Sequence, residues 1–233
     1  MKRIFTLALV LMVLSGLRAQ HLVPNGDFET WYPVPVSQTV NYEDIGSGPA
    51  DNWLGTLNAL AAVPAMAGGP GPVTVFKTTD KHSGNFAAKA VPVNFHLGPV
   101  TSFIPRMVGT AVLDMANIRA LIGKPCAGCR PLKLKGFFKF EPVNGDSCSA
   151  SILLSKWNVA AGKRDTVGFG RIVQKEAVDS WKEFEVPVNY ISAGSIDSIS
   201  VLVVASAGYN LSNFMECVGQ PGNTMYLDDL MLE

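Results

Sequence analysis

The sequence has no excess of charge of either sign. Its 233 residues carry 19 Lys plus Arg against 19 Asp plus Glu, a formal net charge of zero at pH 7. Without a basic surplus there is no electrostatic footprint for nucleic acid or an anionic membrane surface. Charged residues make up only 16% while hydrophobic ones reach 48%, which excludes a disordered composition. Histidine is scarce, and His21, His82 and His96 are scattered. No G-x-S-x-G stands in the chain, so no nucleophile motif can be assembled. The Gly-rich stretches lack a following Lys-Ser/Thr and helix, which argues against a phosphate loop. Beyond Leu14 there is no long apolar run, so no membrane span is expected. Helical periodicity is confined to one ambiguous place. Val112, Met115, Ile118 and Ile122 could line one face of a short helix, but Thr110 to Leu113 could be strand.

Met1 to Ala19 reads as a signal peptide. Lys2 and Arg3 give the positive start, Ile4 to Leu14 the apolar stretch, and Leu17-Arg18-Ala19 a small residue before Gln20. No Cys lies near the junction, which disfavours a lipid-anchored cysteine. The expectation is a protein exported to the periplasm, the cell surface or the medium, with residues 20–233 forming a single domain.

Only four cysteines occur: Cys126, Cys129, Cys148 and Cys217. Cys126-Ala127-Gly128-Cys129 has the spacing of a zinc knuckle or a redox pair. A zinc site wants a second close pair, and Cys148 and Cys217 stand alone. A thioredoxin-like motif wants a βαβ context, which is missing. Structural disulfides suit an exported chain best, and of the three connectivities we favour Cys126–Cys129 with Cys148–Cys217.

What the chain does have is strands. Gly (22) and Pro (15) punctuate short alternating segments. The organising stretch is Pro131 to Trp157. Leu132, Leu134, Phe138 and Phe140 fall on one face, with Lys133, Lys135, Lys139 and Glu141 on the other. Val143-Asn144-Gly145-Asp146 breaks the pattern as a turn. Cys148, Ala150, Ile152 and Leu154 then alternate with Ser149, Ser151, Leu153 and Ser155. This predicts an antiparallel hairpin. Phe137, Leu153 and Trp157 share its polar face.

Before that hairpin, a first strand near Leu22 to Trp31 is stopped by Pro33 and Pro35, and residues 33–51 read as a loop. A short strand at Asn52 to Leu54 and a covering loop over 57–72 follow. Val73 to Lys77 and Phe86 to Val91 form strands about the turn Asp80 to Gly84. After the hairpin come strands at Thr166 to Val173, Trp181 to Val188, Ile199 to Ala205 and Thr224 to Leu232. Pro187 predicts an edge strand or bulge for the second of these, and apolar residues on both faces predict a central position for the third. The fold expected is all-β, a β-sandwich of jelly-roll type with long covering loops and at most one short helix.

Six motifs occur in order: NGDFE-x-W from Asn25, NW-x-x-x-N from Asn52, HSG-x-x-A-A from His82, L-K-G-F-F-K-F-x-P-x-x-GD from Leu134, W-x-x-F-x-x-P-x-x-Y from Trp181, and Y-L-D-D-L from Tyr226. In this the chain resembles the PCMD carbohydrate-metabolism-domain family of secreted Bacteroidetes proteins, from Asn25 to Leu230. The resemblance implies a jelly roll of the galactose-binding, carbohydrate-module type. Two features depart from it. The chain shows neither an immunoglobulin-like domain before this one nor a lipoprotein signal. Cys126 also follows Pro125 where relatives carry an aromatic residue.

The resemblance implies a glycan ligand and a structural calcium ion held by Glu29, Asp228 and carbonyls around His82 to Gly84. Sugar modules stack a ring on an aromatic side chain while polar groups fix the hydroxyls. The candidate ligand residues are Trp157, Phe137, Lys139, Ser151, Tyr209, Phe214 and Trp31. For each taken singly, packing is the commoner fate. Glycoside hydrolysis needs two carboxylates facing across a bond, and no motif pairs any two of Glu141, Glu183, Glu185, Asp197 and Asp229. The reading is a noncatalytic carbohydrate-binding protein. The alternatives are a glycoside-active enzyme and a structural or adhesive component with a protein partner.

Overall fold

The computed structural model describes residues 21–35, 41–48, 53–59, 73–97, 100–104, 106–114, 119–208 and 218–233. The chain opens with β1 (His21–Leu22), β2 (Trp31–Pro35), β3 (Asn41–Ile45) and β4 (Gly55–Thr56). Next come β5 (Val75–Thr78), β6 (Ala87–Ala90), β7 (Val93–Leu97), β8 (Val100–Ile104) and β9 (Met107–Gly109). β10 (Ala111–Asp114), β11 (Arg119–Ile122) and β12 (Lys124–Pro125) lead into the long strands β13 (Lys133–Glu141), β14 (Cys148–Asn158), β15 (Lys163–Gln174) and β16 (Val178–Pro187). β17 (Asn189–Tyr190), β18 (Ser198–Val204) and β19 (Thr224–Leu232) complete the set.

Two sheets carry the fold. The first runs β16-β13-β19-β6-β5, with β1 also paired to β19. The second runs β17-β15-β14-β18-β9-β4, with β12 beside β18. No α-helix occurs among the described residues. The fold is therefore a β-sandwich of jelly-roll type. Its core lies between the sheets. Leu134, Phe138, Phe140 and Val186 from the first face Ile152, Leu154, Ile199 and Val201 from the second, all buried. Period-two alternation drives this: each strand turns its apolar set inward and its polar set out. In β13 the inward slot between Leu134 and Phe138 belongs to Gly136. A Cβ there would lie 2.8 Å from both Phe184 and Leu230 side-chain atoms, so the gap is what admits Phe184.

Several expectations are met. Pro187 lies in β16 at the edge of its sheet, where a missing N–H costs no ladder bond. β18 is buried along its whole length, between β14 and β9. The ambiguous stretch from Gly109 to Ile122 is strand: β10 pairs with β11, and residues 115–118 between them lie outside the described residues. The covering loop over 57–72 is outside them from residue 60, as are Asn52 and the leader.

Others are corrected. β13 and β14 are not a hairpin. β13 pairs with β16 and β19, and β14 with β15 and β18, so the chain crosses from one sheet to the other at residues 142–147. Side chains hold this crossing. Asp146 Oδ2 accepts from Ser206 Oγ at 2.6 Å and Gln220 N at 2.7 Å, and Asn223 Oδ1 accepts from Val143 N at 2.6 Å. Two apolar faces opposed across a core give the same alternation as two paired strands, so the pattern could not separate them. Leu132 precedes β13 and is 51% exposed rather than inward. The serine face of β14 is covered, with Ser149, Ser151 and Ser155 all buried. The segment after Asn25 is a turn, and Pro33 and Pro35 lie within β2, which pairs with β3 alone, so each proline has a free edge to face.

The disulfide Cys126–Cys129 is present. The staple from Cys148 to Cys217 is corrected: Cys148 is a free thiol facing the core, and Cys217 lies outside the described residues.

Candidate ligand-binding face

The turn after β5 organises one end of the first sheet. Glu29 Oε1 accepts from the main-chain N–H of Asn85 and from that of Phe86 at 2.9 Å, and Oε2 accepts from Asn85 Nδ2 at 3.1 Å. The amides of Phe86 and then Asn85 hold the Glu29 carboxyl below the usual range. Asp228 Oδ2 accepts from His82 N at 2.8 Å and Ser83 N at 3.1 Å. Burial pushes the Asp228 carboxyl up, and neighbouring Asp229 adds to that, while the amides of Ser83 and His82 pull the other way. Asp229, at φ +49°, takes His82 Nδ1 at 2.7 Å and the Ser83 hydroxyl at 3.0 Å. Gly84 is required at the crown of the turn. Its φ is +58°, and a Cβ there would sit 2.2 Å from Glu29 Oε1.

Glu29 and Asp228 therefore meet the same turn, as the calcium expectation required, but the donors do not suit a calcium ion. Both carboxylates face N–H groups, and the Gly84 carbonyl accepts from the Lys81 ammonium. Calcium needs six to eight oxygens directed at one point. Here an ammonium and five main-chain amides, those of His82, Ser83, Asn85, Phe86 and Asp229, occupy those directions. Among the described residues no group of three or more His, Cys, Asp or Glu could hold a metal.

Beside this turn, the outer face of the first sheet carries a band of aromatic rings and ammonium groups. His82 stacks on Phe137, centroids 3.5 Å apart and planes within 9°. Trp181 meets His82 edge-on at 6.2 Å and Tyr226 at 6.5 Å. Register aligns Lys139 with Tyr226, Tyr226 with Lys89, and Lys89 with Phe76. Lys139 Nζ lies 4.4 Å from the Tyr226 ring centre and 5.7 Å from that of Trp181, and Lys89 Nζ lies 5.2 Å from Tyr226. Lys139 also pairs with Asp80. Phe76 is 43% exposed. At an interstrand spacing of about 4.8 Å, the row from Trp181 to Phe76 extends roughly 19 Å across the strands. This surface can offer C–H stacking at one end and N–H donors along its length.

Of the residues chosen from sequence, Phe137 and Lys139 are on this face. Trp157 and Ser151 are not: both belong to β14 in the opposite sheet, so they share no surface with Phe137. Ser151 is buried and donates to Leu202 O at 3.3 Å. Trp157 is exposed near the β14–β15 turn beside Arg164, and its main-chain N–H donates to Asp197 at 2.9 Å. Trp31 packs on the core, with its indole N–H on Phe28 O at 2.6 Å. Tyr209 and Phe214 lie outside the described residues. Sequence reasoning missed Trp181, Tyr226, Lys89, Phe76 and the His82 ring. Each sits at the outward parity of its strand or turn, but the register that aligns them joins strands far apart in sequence.

No protein-family model matches the chain, and no curated protein sequence does. Solved structures do match. A protein of Bacteroides thetaiotaomicron VPI-5482 named "putative glycoside hydrolase" aligns over 93% of this chain and 71% of its own, at 15% identity and TM-score 0.66. One of the same name from Bacteroides vulgatus ATCC 8482 aligns over 88% of this chain and 96% of its own, at 15% identity and TM-score 0.63. At this identity the likeness is one of fold.

Proposed function

We propose that this protein is an exported, noncatalytic glycan-binding jelly roll whose ligand lies on the outer face of the first sheet. The observation that carries the reading is the aligned series Trp181, Lys139, Tyr226, Lys89 and Phe76. Sugar rings present an apolar C–H face and a rim of hydroxyls, and a strip of rings alternating with fixed N–H donors complements both. The glycoside-directed names of the two solved relatives and the PCMD resemblance point to the same ligand class.

The hydrolase alternative has one observation in its favour, the raised carboxyl of Asp228 beside Asp229. Asp228 is fully buried and already accepts three main-chain N–H groups across its two oxygens, so it has no free face to offer a glycosidic oxygen. Binding without turnover is the better account.

The test is a glycan array probed with residues 20–233, followed by calorimetry on any hit with Phe76→Ala and Trp157→Ala variants. Affinity should fall for Phe76→Ala and hold for Trp157→Ala. Binding lost only with Trp157→Ala would move the site to the opposite sheet. An array with no hit would end the glycan reading.

A further inference from the structure

Resting on that reading, we infer that the glycan recognised by this face is acidic, with a carboxylate or sulfate group seated against Lys89. Most of the positive charges of the first sheet are held by carboxylates. Lys133 is bound to Glu185 at 2.8 Å and Glu233 at 3.2 Å, and Lys135 to Glu183 at 2.6 Å. Lys77 is bound to Glu43, and Lys139 to Asp80. Lys89, beside Tyr226 in the row, has no carboxylate partner among the described residues; Lys182 of β16 also lacks one but is not part of the row.

Its surroundings suit an anion. The Lys89 ammonium projects over the Tyr226 ring, which is 9% exposed, and its cross-strand neighbour on the other side is Phe76. The Tyr226 ring beneath the ammonium removes part of its water, which strengthens a charge-assisted hydrogen bond to an arriving anion. The second ammonium of the row, Lys139, lies on the far side of Tyr226 and is paired with Asp80, which leaves Lys89 as the cation of the row without a carboxylate among the described residues. A neutral sugar would leave the Lys89 ammonium with only hydroxyls to meet. A uronic acid or a sulfated sugar supplies the missing charge, with its ring against the exposed face of Phe76.

The probes are a galacturonic acid tetramer and a galactose tetramer, titrated into residues 20–233 by calorimetry at low and high salt. The acidic tetramer should bind roughly tenfold tighter than the neutral one at low salt, the scale of one charge-assisted hydrogen bond. The gap should narrow at high salt. Lys89→Met should close it while leaving thermal stability in place, and Lys89→Arg should keep it. A sulfated galactan run in parallel distinguishes sulfate from carboxylate as the anion. Equal binding of acidic and neutral oligomers, or a preference that survives Lys89→Met, would overturn the inference and leave the glycan reading standing. Failure of every oligomer on the array would overturn both.

Discussion

Gly84→Ala probes the latch that holds the 81–86 turn against β19 and the segment before β2. At φ +58° an alanine costs about 1 kcal/mol in backbone strain. Its Cβ, 2.2 Å from Glu29 Oε1, also expels the carboxylate, which then gives up the amides of Asn85 and Phe86. These amides are near the surface and regain water, so each bond is worth about 1 kcal/mol net. Gly84→Ala should therefore destabilise by about 3 kcal/mol, and Glu29→Ala by about 2 kcal/mol. In the double variant the carboxylate is already gone and the alanine adds only its strain. The sum should then be about 3 kcal/mol, a coupling of about 2 kcal/mol against the additive value. Urea denaturation of the four proteins measures this. Additive losses would refute the packing of Glu29 on Gly84. The pH dependence gives an independent reading. The Glu29 carboxyl is lowered in the folded state, so its contribution is complete above the ordinary carboxylate value and is lost as pH falls through the folded one. The gap between wild type and Glu29→Ala should shrink across that acid range and be constant above it.

The same turn should make the protein indifferent to calcium: neither added calcium nor a chelator should shift the melting temperature, and a rise with calcium would show that the oxygens can re-aim. The Cys148 thiol, pushed up to about 12 by burial, should resist alkylation in the native protein and react only on unfolding, as peptide mass analysis would reveal. Arg106 is fully buried and lowered to about 9 by desolvation. Its Nε donates to Val91 O at 2.7 Å, and both terminal guanidinium nitrogens are without a hydrogen-bond partner among the described residues. Arg106→Met should therefore stabilise by about 1 to 4 kcal/mol in chemical denaturation, and a loss would point to an anion that the guanidinium holds.

Strand positions were legible because the signal is local. Alternation in β13, in the Cys148–Leu154 half of β14 and around Phe184 and Val186 marked their inward faces, and Pro187 marked an edge. Pairing was not legible. Phe138 and Ile152 face one another across the core, whereas a hairpin would have set β13 and β14 side by side, and both arrangements demand the same residues at the same parity. That ambiguity put Trp157 on the surface of Phe137 when the two belong to opposite sheets. The ligand face was half legible for a similar reason. Lys139 and Phe137 stood out within one strand, but Lys89 and Tyr226 acquire their meaning only from the register of β6 on β19. The carboxylates were found and their partners mistaken: Glu29 and Asp228 do converge on the HSG turn, yet it offers them amides where carbonyls were expected.

The pairing of β1 with β19 has a mechanical consequence. His21 lies opposite Leu232 and Leu22 opposite Met231, and the strands are antiparallel. The two ends of the described chain thus leave the sheet at the same place, so a force drawing them apart loads the ladder bonds one at a time, in peeling, rather than together in shear. Once β1 has peeled away, the pull reaches Glu233, whose main chain bonds to Leu132 and Lys133 at the start of β13. The first sheet should then open from that corner on the C-terminal side, while the pull from the N-terminal side passes through β2 and β3 to β4 at the edge of the second sheet.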